Sequence, residues 1–218
     1  MRLPSGYKQL TYVMGDGNQY IDTGLIVQKS DSWQYVLDAD LVKNDNYAGA
    51  NGYLQYQANI GNGVKSEINI IYKNITETIT VNGVQVSSQS WASYYGNNVK
   101  LGVLKLGDAN NTWFSGAAQS GKIYSCKIYK SDILIRDFIP CYNPSNVAGL
   151  YDVVNNKFYA SASSTSFLGG QIIKTLNMPV NIGGSWKDSD SIYVNINGVW
   201  KEADSTYVNI DGTWKELG

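Results

Sequence analysis

The sequence predicts an all-β chain, on three observations. Strand-like runs recur with turn residues between them, and nowhere do apolar residues hold a 3.6-residue spacing over the roughly 10 to 12 residues that a helix requires. The composition sets 22 Gly against 4 Pro, with 12% aromatic and only 16% charged residues, so the polar surface must be built from Asn, Ser, Thr, Gln and Tyr hydroxyls. That is the balance of an ordered β protein and not of a disordered one. The third observation is an internal repeat near the C-terminus, in which Trp186, Trp200 and Trp214 recur every 14 residues.

Taken in order, the strand candidates are residues 19–21, 33–41, 66–72, 76–81, 99–104, 122–129 and 133–139. Between two alternating runs in ETITVNGVQV stand Asn82 and Gly83, the pair a two-residue type I′ turn favours because both central positions need positive φ. GKIYSCKIY alternates Ile123, Ser125, Lys127 and Tyr129 against Tyr124, Cys126 and Ile128, which predicts a strand with one apolar, core-facing side. RDFIPC reads as its antiparallel partner through KSDI, with Pro140 ending ladder donation. GLYDVVNNKFYA places Asn155 and Asn156 at a tight turn between two further arms.

After Gly169 and Gly170 the texture changes. The units PVNIGGSWKD, YVNINGVWKE and YVNIDGTWKE each set a GG, NG or DG pair between short β-prone arms, so each is expected to be one hairpin. The expected organisation is a sandwich over residues 1–168, a linker over 169–178 and three 14-residue hairpins over 179–218. An isolated hairpin is marginal in water. Trp186, Tyr193, Trp200, Tyr207 and Trp214 are therefore expected to pack on one another, on the sandwich or on another subunit, and a homo-oligomer is the inference. Sugar platforms are the alternative role for these rings.

A net charge of -1 and a pI near 5.4 give no basic footprint for nucleic acid. Pro4 and Gly6 interrupt the N-terminus where a signal peptide needs an apolar stretch, and no run of about 18 apolar residues occurs, so neither export nor membrane insertion is expected. With no histidine, the usual general base of Ser/His/Asp and Cys/His catalysis is missing, and Cys126 and Cys141 cannot complete a Cys/His zinc site. Buried free thiols are expected, with a bridge between adjacent strands as the alternative.

A glycosidase needs only paired carboxylates. The predicted sandwich holds two glutamates, Glu67 and Glu77, and its nearest acidic pair is Asp38 with Asp40, which share one strand face. Solvated strand acids account for them, and no enzyme is expected. Gly-rich GDGNQYIDTG lacks the Lys of a phosphate loop, and NIGNG lacks a dinucleotide-binding context, so both read as turns. No cofactor is expected; oxygen-rich KNDNYAGANG and GDANNTW offer the ligand type calcium takes, without the spacing of a calcium loop.

Four segments, LPSGYKQLTYV with QYIDTG, GKIYSCKIY, RDFIPCYN and GLYDVVNNKFY, together resemble the concanavalin A-like lectin/glucanase or laminin-G-like domains of bacteriophage tail and minor structural proteins. The YVNINGVWKE repeats are similar to short repeats that end many phage tail proteins. The resemblance implies a two-sheet antiparallel jelly roll, attachment to cell-surface glycans, assembly with other tail components, and location on the virion. The glucanase catalytic acids have no counterpart here, so only that fold carries over.

Sugar recognition needs aromatic faces bounded by amide, carboxylate or hydroxyl groups. QSWASYYGNN and GDANNTWFSG offer both, which makes Trp91, Tyr94, Tyr95, Asn97, Asp108, Asn110 and Trp113 the candidate glycan patch, with rim or core packing as the alternative role of the two tryptophans. Three functions stay open: a carbohydrate-binding attachment module, a structural virion or assembly protein without a glycan ligand, and a glycoside hydrolase.

Overall fold

The computed structural model describes residues 3–42, 47–50, 54–57, 64–90, 98–107, 112–113, 118, 120–173, 179–182, 185–188, 193–196, 198–202, 207–210 and 212–216. The chain divides into two compact units, Met1–Ile172 and Ile173–Gly218. No helix occurs among the described residues.

In the first unit the strands are β1 (Lys8–Gln9), β2 (Val13–Asp16), β3 (Ile21–Val27), β4 (Trp33–Leu41), β5 (Tyr47–Ala50), β6 (Leu54–Gln57), β7 (Ser66–Lys73), β8 (Thr76–Val81), β9 (Val84–Ser90), β10 (Val99–Val103), β11 (Leu106–Gly107), β12 (Ser120–Lys130), β13 (Ile133–Tyr142), β14 (Ala148–Asp152), β15 (Lys157–Tyr159) and β16 (Leu168–Gly169). Eleven of them form one sheet in the order β15-β14-β13-β12-β4-β7-β8-β9, with β1 on β13, β2 on β12 and β16 on β2. A five-stranded sheet runs β11-β5-β10-β3, with β6 on β5. Pairing is antiparallel apart from the short β11–β5 contact.

The two sheets share one core. Strand β4 alternates Trp33, Tyr35, Leu37, Ala39 and Leu41 inward with polar or half-buried positions outward. These meet Ile68 and Ile70 of β7 and Ile123, Cys126 and Ile128 of β12 on the large sheet, and Ile21, Val99, Leu101 and Val103 on the small one. The Tyr35 hydroxyl crosses the core to donate to the Gly102 carbonyl at 3.2 Å. Burying side chains of this size stabilises by about 1.5 to 3 kcal/mol each.

Strand β12 corrects the sequence reading. Its pairing with β4 slips between Ile123↔Ala39 and Ser125↔Asp38, so Tyr124 is one extra residue in the strand. Strict alternation would send Ile123 outward and Tyr124 inward; the bulge instead buries Ile123 with Cys126 and Ile128 and leaves Tyr124 half-buried on the outer side. Pro140 is a second correction. Strand β13 does not stop there but continues to Tyr142, because β12 pairs only as far as Phe138 and β1 takes over at Cys141 and Tyr142. Between the two partners Pro140 has no ladder bond to donate, and its carbonyl accepts from the Leu10 amide at 2.9 Å.

Residues 19 and 20 precede β3 and are not part of it. Gln19 is buried, accepting from the Asp16 amide at 2.9 Å and donating to the Ser166 carbonyl at 3.1 Å, so its side chain closes the GDGNQ turn. Asn82 and Gly83 adopt φ of 50° and 78° between Val81 and Val84, the geometry of the type I′ hairpin. Ser131 and Asp132 do the same between β12 and β13, at 49° and 63°. The Asn155–Asn156 turn is wider than two residues, since β14 and β15 close at Asp152↔Lys157.

The fully buried Asp152 carboxylate organises that wider turn. It accepts from the backbone amides of Asp137 and Val154 at 3.1 Å each and from the Asn155 amide group at 2.8 Å, and it faces Arg136 Nε at 3.4 Å. Tyr151 and Val153, on either side of Asp152 in sequence, form a smaller core with Cys141, Leu3, Tyr7, Ile139 and Phe158. Cys126 lies in the main core, paired with Phe138. Cys141 is three residues beyond Phe138 and therefore on the opposite side of the sheet, which keeps both thiols free.

The second unit consists, among its described residues, of three antiparallel hairpins: β17 (Pro179–Ile182) with β18 (Ser185–Asp188), β19 (Tyr193–Ile196) with β20 (Val199–Glu202), and β21 (Tyr207–Ile210) with β22 (Thr213–Glu216). The register recurs, with Asn181, Asn195 and Asn209 opposite Trp186, Trp200 and Trp214. Gly198 and Gly212 take φ of 84° and 82°, as the NG and DG turns demand.

Two outcomes are expected. Replacing Asp152 by Ala leaves Arg136 without its carboxylate and the Asp137 and Val154 amides without their acceptor, and should cost about 3 to 5 kcal/mol in urea denaturation. Burial raises both thiols from 9.0 to about 12, against a weaker lowering by Tyr35 at Cys126 and by the Tyr151 backbone at Cys141. The fold thus retains protons that the unfolded chain releases above pH 9, so the thiol contribution to stability is complete below about pH 9 and is lost as pH rises towards 12, by up to about 1.4 kcal/mol per thiol per pH unit. Neither thiol should react with a disulfide reagent in the native state, and both should react once the chain is unfolded.

Candidate functional site

Of the candidate glycan residues, Trp113 is among the described residues; Trp91, Tyr94, Tyr95, Asn97, Asp108 and Asn110 lie outside them. Trp113 bridges to Gly107 and is half-buried. Its surroundings are built by β3 and β10. On β10, Val99, Leu101 and Val103 are buried in the core, which turns Lys100 and Gly102 to the outer side. On β3, Asp22 pairs with Gly102.

The β3–β10 register breaks between Leu101↔Leu25 and Gly102↔Asp22, leaving Thr23 and Gly24 as extra residues. Gly24 takes φ of 70°, which suits glycine, and its amide donates to Asp22 Oδ1 at 2.9 Å. Thr23 turns inward, where its hydroxyl donates to the Leu101 carbonyl at 2.6 Å. The break thus fixes the Asp22 carboxylate at the surface. Its other oxygen lies 3.7 Å from Lys100 Nζ.

Aromatic rings complete the site. Tyr20 and Trp113 meet edge to face, with centroids 5.0 Å apart and planes at 62°. Lys100 Nζ stands 5.3 Å from the Trp113 ring and Lys105 Nζ 4.9 Å from the Tyr20 ring, distances at which the ring quadrupole attracts a cation. Partial burial, followed by the Asp22 charge, pushes the Tyr20 phenol above its usual range.

Lys105 is delivered by strained backbone. Leu104 adopts φ of 65°, a left-handed conformation that costs a residue with a Cβ about 1 to 2 kcal/mol, and it holds there because its side chain is wholly buried in the core. Gly102 has no room for a side chain: a Cβ would lie 2.3 Å from the Lys105 carbonyl and 2.8 Å from Trp113 Cζ3. The indole therefore rests directly on the strand backbone.

Sequence reasoning singled out Trp113 but not Tyr20, Asp22, Lys100 or Lys105. Tyr20 and Asp22 stand in QYIDTG, and no local signal links that segment to GDANNTW nearly a hundred residues away. Among the acids, Asp38 is ion-paired with Lys65 at 3.0 Å and Asp40 with Lys122 at 3.7 Å, Glu67 is exposed and Glu77 is buried. No group of three or more metal-ligating residues occurs among the described residues. Chemically, the Tyr20–Trp113 surface offers aromatic C–H contact, two ammonium donors and one carboxylate acceptor.

No family model, curated protein or solved structure matches the chain.

Because the site depends on contact between Trp113 and bare backbone, Gly102→Ala should displace the indole and cost about 1 to 3 kcal/mol. Chemical denaturation and the tryptophan emission of the native state would both register the change.

Proposed function

We propose that the chain is a non-catalytic carbohydrate-binding module, a two-sheet jelly roll whose saccharide surface is centred on Tyr20 and Trp113. The observation that carries this reading is the edge-to-face pair at 5.0 Å, bordered by Lys100, Lys105 and the fixed Asp22 carboxylate. Such a surface joins apolar stacking to charge-assisted hydrogen bonding, the combination sugar hydroxyls and C–H groups require. Strained backbone held in place by the core is also what a pre-organised site presents. The resemblance of the sandwich and of the repeats to phage tail proteins extends the proposal to host attachment on a virion tail, with cell-surface glycan and other tail components as partners and no cofactor.

The C-terminal hairpins are proposed to join copies of the chain. Their recurring Asn–Trp register places Trp186, Trp200 and Trp214 at equivalent positions, and Tyr193 and Tyr207 recur opposite Glu202 and Glu216. The purely structural reading is favoured by one observation, the tight packing of Trp113 on Gly102, which is how a ring serving only to cover a sheet would sit.

A glycan array with the full chain separates these readings, and light scattering on the same sample gives its mass. The expected result is selective sugar binding by an oligomer, lowered about tenfold or more in Trp113→Ala and Tyr20→Ala. A silent array from a folded oligomer would leave the structural reading.

A further inference from the structure

The outer side of the eleven-stranded sheet carries a second aromatic and charged cluster, built from strands that contribute nothing to the Tyr20–Trp113 surface. The bulge in β12 is its origin. With Tyr124 as the extra residue opposite β4, both Tyr124 and Ser125 are half-buried on the outer side, where Asp38 and Asp40 of β4 also lie. Bulges re-aim side chains in this way and are over-represented beside functional sites.

Tyr124 meets Tyr12 edge to face, with centroids 5.8 Å apart and planes at 67°. Tyr12 lies against Gly170, where a Cβ would come within 2.9 Å of the ring. Lys65 Nζ stands 4.5 Å from the Tyr124 centroid and 3.0 Å from Asp38 Oδ2. Lys122 Nζ stands 5.1 Å from the Tyr12 centroid and 3.7 Å from Asp40 Oδ2. The result is a lattice of two rings, two ammonium groups and two carboxylates. Among the described residues neither phenol hydroxyl has a hydrogen-bond partner.

The exposed Lys65–Asp38 pair by itself contributes only about 0 to 1 kcal/mol to stability. As a binding surface the lattice is specific. Each ammonium is already paired with a carboxylate, and the exposed Glu67 stands opposite Asp38 on β7, so an anionic ligand would gain little without breaking an ion pair that already exists. Hydroxyl groups, by contrast, can donate to Asp38 and to the phenols and accept from the lysines without disturbing either pair. The rings supply apolar area between these groups.

We propose that Tyr12, Tyr124, Lys65, Lys122, Asp38 and Asp40 form a second saccharide subsite, selective for a neutral, hydroxyl-rich sugar chain. The proposal rests on reading the chain as a glycan-binding protein, but it uses none of the residues of the first surface. The test is a calorimetric titration of the full chain with neutral hexasaccharides of glucose, galactose and N-acetylglucosamine, and with an oligogalacturonate as the anionic probe. Wild type, Trp113→Ala, Tyr124→Ala and the charge-neutral pair Lys65→Met with Asp38→Asn are compared, with thermal melts to show that each is folded.

The expected result is that a neutral probe still binds Trp113→Ala, and that adding Tyr124→Ala, or the Lys65/Asp38 pair, weakens this remaining binding about tenfold or more. Remaining binding that ignores both changes, or that is confined to the anionic probe, overturns the subsite. If Trp113→Ala alone abolishes all binding, the first surface stands and the second falls. If the wild type binds no sugar, both fall.

Discussion

The register of β12 is the constraint on which the first unit depends. This one strand pairs along β4 on one edge and passes from β2 to β13 on the other. A slip of one residue anywhere along it would exchange core and solvent faces across the large sheet. The bulge at Tyr124 makes that slip deliberately and locally. Ile123 before it and Cys126 and Ile128 after it all reach the same core, whereas an unbroken strand would bury only one of the two sets.

The same economy appears where the sheets meet the surface. Both sites described above lie at register breaks, one in β12 and one between β3 and β10. In β12 the extra Tyr124 lets Ile123 and Cys126 both reach the core while Tyr124 faces outward; between β3 and β10 the extra Thr23 and Gly24 form a turn whose Gly24 amide holds the Asp22 carboxylate. Glycines do the complementary work. Gly102 admits the Trp113 ring, and Gly170 admits the Tyr12 ring, at distances no Cβ would permit. The Leu104 backbone adds a third device, in which full burial of an apolar side chain holds a left-handed turn that places Lys105 over Tyr20.

With few charges available, the protein uses them in fixed places. Asp152 is buried and serves backbone donors on β13 and in the turn after β14, as well as Arg136. Asp38, Asp40 and Asp22 remain nearer the surface, each beside one lysine. The first kind of carboxylate fixes the fold, because an unpaired charge in its position would be costly. The second kind is partly exposed, and an exposed pair such as Lys65–Asp38 contributes little to stability.

The sequence by itself determined the class of structure. Period-two alternation over residues 33–41, 66–72 and 76–81, the NG turn at Asn82 and Gly83, and the 14-residue repeat all act over a few neighbouring residues, and the chain folds there as they require. The free state of Cys126 and Cys141 was legible as an expectation, but its reason is the sheet, which puts the two thiols on opposite sides. Only the tertiary structure decided the bulge at Tyr124, the passage of β13 through Pro140, and the meeting of Tyr20, Asp22, Lys100 and Lys105 with Trp113. These depend on which strands become neighbours, and on a local loss of alternation compensated by distant partners. A sequence read locally carries the periodicity of its strands, but it does not carry the identity of the residues that will stand across from them.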